Sequence, residues 1–330
     1  MASIYWELHS RAGRILASDD LWAWDAASKH RCFDLLRDFR RRDLDADGLQ
    51  AALSSERLGA LPTAPASGTI AVLPLVGILT PAPSIFSLLS AGTDVRAFTA
   101  RVHDAAFNPQ VKSILVAVDS PGGSIRLVPE AAAALRLARQ RKPVVTAVTG
   151  LAASAAYWIA ANASTIEATP SAEVGAIGIL AERVSLAKKL AQDGIDVRVI
   201  AAGKFKAEGH QALPVTDAEA QAIQRRVDGA YDSFVSDIAA GRHVSAPVVR
   251  AGYGQGRLVD APEALRLGMI DAISTSEQTL ARIISTPSAA TAQLHHRADQ
   301  FRAGRLADGR AEIAQHRARL QASTTRFAGR

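Results

Sequence analysis

The chain has 330 residues, 48% hydrophobic and 21% charged, with 38 basic against 32 acidic side chains and a net charge of +6. That composition fits a globular protein of one large domain with extensions, or of two domains, and argues against a wholly disordered or fibrous chain. Cys32 is the only cysteine, so no intramolecular disulfide can form and a reducing compartment fits. Met1 to His9 lack the basic-then-apolar pattern of a signal peptide, and no run of 18 apolar residues occurs. The expectation is a soluble, cytoplasmic protein without a membrane anchor.

Residues 1–60 read as a helical N-terminal extension, with Asp20-Leu21-Trp22-Ala23-Trp24 leading into an amphipathic stretch around Phe33 to Phe39. Asp43 to Gly48 resembles the start of a calcium loop. Position 12 of that loop is Ser54, where a bidentate Glu is needed, so a solvated acidic turn is the default reading. Residues 61–68 are small and Pro-containing, a linker. Alternation then begins. Strands are predicted over 69–79, 113–118, 144–148, 165–168, 197–200 and 270–273, and helices over 94–107, 129–140, after Ser154, 185–192, 216–241 and 261–267. Strands alternating with helices predict an α/β fold with mostly parallel strands over residues 69–284. Thr216 and Glu219 frame a possible capping box. The apolar stripe Val227, Ala230, Tyr231, Phe234, Val235 and Ile238 on the long helix reads as core or subunit interface, so a homo-oligomer is expected. Residues 285–330 form a basic tail, helical or disordered. Eight arginines fall between 297 and 330 against Asp299, Asp308 and Glu312. It reads as a solvated tail, or as a docking segment for an acidic partner.

Three stretches carry possible chemistry. Gly150 to Ala160 follows a β-branched run and turns into a small-residue helix, with Ser154 at the junction. A hydroxyl there faces unpaired helix N–H groups; it serves either as a nucleophile or as a plain helix cap. Asp119-Ser120-Pro121-Gly122-Gly123-Ser124 follows the strand at 113–118. Its glycines can turn backbone N–H groups outward as an oxyanion hole, or simply make a tight turn. Gly203-Lys204-Phe205-Lys206 follows the strand predicted at 197–200. A lysine there is a general base if it is desolvated, and otherwise a solvated charge. On a strand-like end, Lys204 and Lys206 would point to opposite faces, so only one could reach Ser154.

In order and spacing, the Ser-Pro-Gly-Gly loop, the Gly-x-x-x-Ser helix start and the Gly-x-x-Lys stretch resemble the family S49 peptidases. These include signal peptide peptidase A and the lambda-type phage head-maturation proteases. The resemblance covers roughly residues 69–275 and extends to Val174-Gly175-Ala176-Ile177-Gly178-Ile179 and to Ala261 through Asp271. It implies a Clp/crotonase-like fold and a Ser–Lys dyad. Ser154 is then the nucleophile and Lys206, 52 positions later, the base. Gly123, with Gly122, and the Ala155 N–H then form the oxyanion hole. It brings no cofactor or metal. One departure is Ala176, where many members carry a serine that hydrogen-bonds the base. A Ser-His-Asp triad fits poorly, because no histidine lies between His103 and His210; His210 remains a competing base.

The loop after Lys206, the following Leu213-Pro214 and the N-terminal helical extension look more like the phage head protease branch. Capsid, portal or scaffold proteins in the host cytoplasm or immature head are then the implied substrates, with no nucleic-acid partner. The alternatives are a bacterial signal-peptide-peptidase-like protease, a crotonase-type acyl-CoA enzyme, which also uses paired N–H groups, and a non-catalytic ring-forming assembly protein.

Overall fold

The computed structural model describes residues 22–24, 69–83 and 92–285. The acidic turn at 43–48, the linker at 61–68 and the basic tail beyond residue 285 lie outside them. Within the described residues the first element is a strand, β1 (Trp22–Trp24), where a helix was expected. Its backbone is held by strand pairing and not by local periodicity: Trp22, Ala23 and Trp24 pair antiparallel with Ser124, Gly123 and Gly122.

Strands β2 (Thr69–Thr80), β3 (Gly92–Asp94), β4 (Val111–Ser124), β5 (Val144–Ala153), β6 (Thr165–Ala168) and β9 (Ala272–Ile273) form a parallel sheet in the order β3-β2-β4-β5-β6-β9. Two short strands, β7 (Glu173–Gly175) and β8 (Leu258–Asp260), extend it. β7 pairs parallel with the end of β5 and antiparallel with β8. Helices α1 (Val95–Phe107), α2 (Val128–Arg139) and α3 (Ala155–Ala160) alternate with the first strands. α4 (Ala187–Gln192), α5 (Asp217–Arg242), α6 (Ala246–Gly252), α7 (Ala261–Leu267) and α8 (Ser276–Ser285) follow. This is the α/β, mostly parallel architecture expected of a Clp/crotonase-like fold.

The central strands are β-branched and apolar because both faces are covered. Ile114, Val116, Val118, Val144 and Val148 are buried, and so are Phe98, Val102, Leu135 and Ala138 on the helices above them. Asp94 caps α1 by accepting from the Arg96 and Ala97 amides. Thr216 caps α5 through a bond from Glu219 N, as the Thr-x-x-Glu spacing predicts.

The apolar stripe of α5 splits in two. Phe234, Val235 and Ile238 are fully buried core, whereas Val227, Ala230 and Tyr231 are half-buried. Phe234 stacks on Trp158 of α3 with ring centroids 4.4 Å apart, and Trp158 Nε1 donates to Asp237 Oδ2 at 2.8 Å. Asp237 in turn pairs with Arg136 of α2 at 2.9 Å. The C-terminal half of α5 therefore clamps the short helix that begins at Ser154.

Residues 180–215 form a largely exposed arm that packs little into this core. The strand predicted at 197–200 does not form: Val197 and Ile200 are exposed, Ile200 by 90%, and the segment is irregular. Its β-branched residues find no sheet edge to pair with and no buried face to fill, so propensity alone does not make a strand there.

Candidate active site

β5 leads directly into the Ser154 turn. Up to Val148 it lies between β4 and β6; from Leu151 to Ala153 it pairs with β7. Ser154 continues that edge, with its N–H donating to Gly175 O at 2.6 Å, and its C=O accepts from Trp158 N at 2.9 Å to start α3. Between those two bonds the backbone makes an abrupt turn, with Ser154 at φ 54° and ψ −119°. An L-residue other than glycine rarely adopts such a conformation, and strain of this kind clusters at functional sites. A serine on a sharp strand-to-helix turn is also the geometry that presents the nucleophile in α/β-hydrolases. Ser154 is fully buried, its side chain does not cap α3, and its Oγ has no hydrogen-bond partner. The plain capping role is therefore not the one the hydroxyl plays.

The Ser-Pro-Gly-Gly segment is extended and belongs to β4, where a tight turn was the alternative. Two glycines do separate jobs. Gly122 sits at φ 95°, open to glycine without penalty. At Gly123 a Cβ would stand 2.2 Å from Leu79 O and 2.6 Å from Leu79 N, so only glycine lets β2 approach this closely. Ser120, fully buried, ties the bend together: its Oγ donates to Gly77 O at 2.6 Å and accepts from Gly122 N at 3.2 Å. The Gly122 N–H is thereby engaged inside the protein. Asp119 holds the neighbouring strand, accepting from Leu151 N at 3.1 Å through Oδ1. Ser120 was present in the motif, but sequence reasoning assigned roles only to the glycines beside it.

Lys204 and Lys206 do not lie on an extended segment. Residues 203–210 wind through successive turns, with Lys206 N donating to Gly203 O (3.1 Å), Glu208 N to Phe205 O (3.1 Å) and His210 N to Ala207 O (3.2 Å). The opposite-faces argument, which rests on strand periodicity, does not apply there. Lys204, Lys206 and His210 are all exposed. Lys204 Nζ lies over the Phe205 ring, 5.0 Å from its centroid. The His210 Nδ1 accepts from Ala212 N at 3.2 Å. In the single chain, Ser154 and Lys206 share no hydrogen bond.

A buried ion pair anchors this turn, and nothing in the sequence pattern pointed to it. Arg183 Nε donates to Glu219 Oε1 at 2.6 Å; the two side chains are 7% and 6% exposed. The same Glu219 oxygen accepts from Gly209 N at 2.9 Å, and Arg183 also donates to His210 O (2.9 Å) and Val184 O. Burial pulls the Glu219 carboxyl upward. The Arg183 hydrogen bond, the Gly209 amide and the Arg183 charge outweigh it and hold the group below the usual carboxylate range. Ala176, in the Gly175-Ala176-Ile177-Gly178 stretch, sits at φ 50° and donates its N–H to Arg257 O at 2.8 Å.

Comparison with known proteins follows the same lines. Residues 136–287 match the model of Peptidase family S49, a span that contains Ser154 and Lys206 and begins after the Ser-Pro-Gly-Gly segment. The chain is 33% identical over 193 residues to a putative protease of Methanocaldococcus jannaschii, covering 58% of this chain and 61% of that protein. It is 32% identical over 173 residues to a putative signal peptide peptidase of Enterococcus faecium, covering 52% and 49%. To capsid assembly protease C of Escherichia phage lambda it is 26% identical over 211 residues, covering 64% and 48%. The chain thus spans about half to three fifths of the length of these curated relatives. The mostly parallel sheet, the serine on its strained turn and the order of the three motifs agree with these matches: residues 136–287 are similar to peptidase family S49.

Proposed function

We propose that the protein is a serine endopeptidase with Ser154 as nucleophile and Lys206 as general base. The observation that carries this reading is the Ser154 hydroxyl, fully buried and unpartnered on a positive-φ turn between strand and helix. In the proposed reaction Oγ attacks the scissile carbonyl carbon, and Lys206 takes the hydroxyl proton and returns it to the leaving amine. Water then hydrolyses the acyl-enzyme. The Gly123 and Ala155 amides hold the oxyanion; Gly122, with its N–H on Ser120 Oγ, supports the strand that presents Gly123.

A lysine acts as a base only when it is desolvated, and Lys206 is exposed on the arm. The arm also exposes Val184, Ile195, Ile200 and Phe205. In our reading it packs against a second copy of the chain, which buries these side chains and brings the Lys206 amine to a serine hydroxyl. The functional unit is then a homo-oligomer.

The substrates in this reading are capsid or scaffold proteins of a phage head, supported by the similarity to capsid assembly protease C, which covers 64% of this chain. The similarity to a putative signal peptide peptidase supports cleavage of signal peptides as the second reading. No helix among the described residues is long and apolar enough to cross a membrane.

The test is covalent labelling of Ser154 by a small fluorophosphonate, together with peptide cleavage by Lys206→Ala and Lys204→Ala and light scattering of each variant. Lys206→Ala should lose labelling and cleavage at least 100-fold, while Lys204→Ala keeps most of both. The reverse pattern moves the base to Lys204. Loss in neither variant removes the Ser–Lys mechanism and returns His210 to consideration. Labelling absent from folded wild-type protein favours a non-catalytic assembly role, and acyl-CoA binding without peptidase activity favours a crotonase-type enzyme.

A further inference from the structure

β4 has two edges. One pairs with β2 as far as Leu79↔Gly123. The other pairs with β5, but only as far as Ser120↔Ala152. Beyond that point β5 runs alongside β7 and ends at Ser154. The sheet therefore splits next to the nucleophile, and from Gly122 onward the edge of β4 that β5 has left is open to another strand. The strand that takes it is β1, with Trp22↔Ser124, Ala23↔Gly123 and Trp24↔Gly122 in antiparallel register.

An open strand edge recruits extended peptides by main-chain hydrogen bonding. A peptidase whose oxyanion donors sit on such an edge must lay its substrate along it to place the scissile carbonyl. We propose that residues 22–24 occupy this edge as an intramolecular stand-in for the substrate, so that the chain masks its own site until β1 is displaced. The proposal rests on the peptidase reading above. It makes the N-terminal extension a competitor for the site, and its sequence the first peptide the site encounters. In this proposal the mask is reversible. A peptide substrate binds with an apparent affinity reduced by the fraction of time the edge is open.

The experiment uses the full chain and Ala23→Pro. Proline removes an N–H and is poorly tolerated inside a paired strand. Ala23→Val, which suits a strand, is the conservative control. Fluorophosphonate labelling of Ser154 reads the nucleophile; KM and kcat on a fluorogenic peptide read the edge. Ala23→Pro should lower KM about 10-fold with kcat nearly unchanged, and Ala23→Val should keep the wild-type KM or raise it. A synthetic peptide of residues 18–28 should inhibit Ala23→Pro at lower concentration than it inhibits wild type. Equal KM in Ala23→Pro and wild type, with Ser154 labelled in both, overturns the mask and leaves the peptidase reading standing. No labelling in either overturns the peptidase reading, and the mask with it.

Discussion

Removing the Ser154 hydroxyl should stabilise the protein. The group is fully buried without a hydrogen-bond partner, on a backbone at φ 54° and ψ −119°. An unsatisfied buried hydroxyl costs about 1–3 kcal/mol, and a non-glycine residue in so sparsely populated a backbone region costs about 1–3 kcal/mol more. Ser154→Ala removes the first cost and keeps the second. It also leaves a void of roughly one oxygen atom, worth a few tenths of a kcal/mol at about 24 cal/mol per Å³. The expected gain is about 1–2 kcal/mol. Ser154→Gly removes both costs and loosens the unfolded chain by about 0.4–1 kcal/mol, so it should stand above Ser154→Ala by about another 1 kcal/mol. Both are made in a Lys206→Ala chain, so that no Lys206 amine from any copy can partner the hydroxyl. For a folded body of this size, 1 kcal/mol corresponds to about 2–4 °C in Tm. Calorimetry at one fixed protein concentration should therefore show Ser154→Ala melting about 2–8 °C higher. If Ser154→Ala melts lower than its parent, the hydroxyl has a partner that stabilises it, and the inference of a free, strained nucleophile is wrong.

Gly123→Ala places a Cβ 2.2 Å from Leu79 O; β2 and β4 must separate, so stability should fall by about 1–3 kcal/mol. In the proposed mechanism Gly123 is an oxyanion donor, so the variant should also lower kcat about 100-fold, and one that melts normally and cleaves normally would remove Gly123 from the site. Glu219 titrates below the usual carboxylate range in the folded chain. Its contribution is therefore present above about pH 4.3, the ordinary value for a glutamate, and is lost as pH falls through its depressed value. Hydrogen exchange in residues 203–210 should accelerate over that acid range in wild type. Glu219→Gln should exchange faster already at neutral pH and lose this pH dependence. An arm whose protection is the same in both proteins would show that the Arg183–Glu219 pair does not hold the turn.

Much of the fold was legible in the sequence because its cues are local. β-branched runs such as Ser113 to Val118 and Val144 to Val148 are strands wherever both faces are covered, and the structure covers both. Thr216 caps the helix its Thr-x-x-Glu spacing predicts, and the helix read from Asp94 begins at Val95 with Asp94 as its cap. The serine at the strand-to-helix junction and the paired glycines stood out because residue type alone restricts what the backbone can do there. The reading failed where the answer depended on distant partners. Val197 to Ile200 has the residues of a strand and no edge to join, so it stays irregular and exposed. Trp22 to Trp24 has a helical-looking context, yet becomes a strand because β5 leaves β4 after Ser120 and opens an edge about a hundred residues downstream. The Arg183–Glu219 anchor of the Lys206 turn joins residues 36 apart that no periodicity links. Local preference is written in a short window of side chains; which edge is free, which ion pair is desolvated and which turn is strained depend on the whole chain having packed.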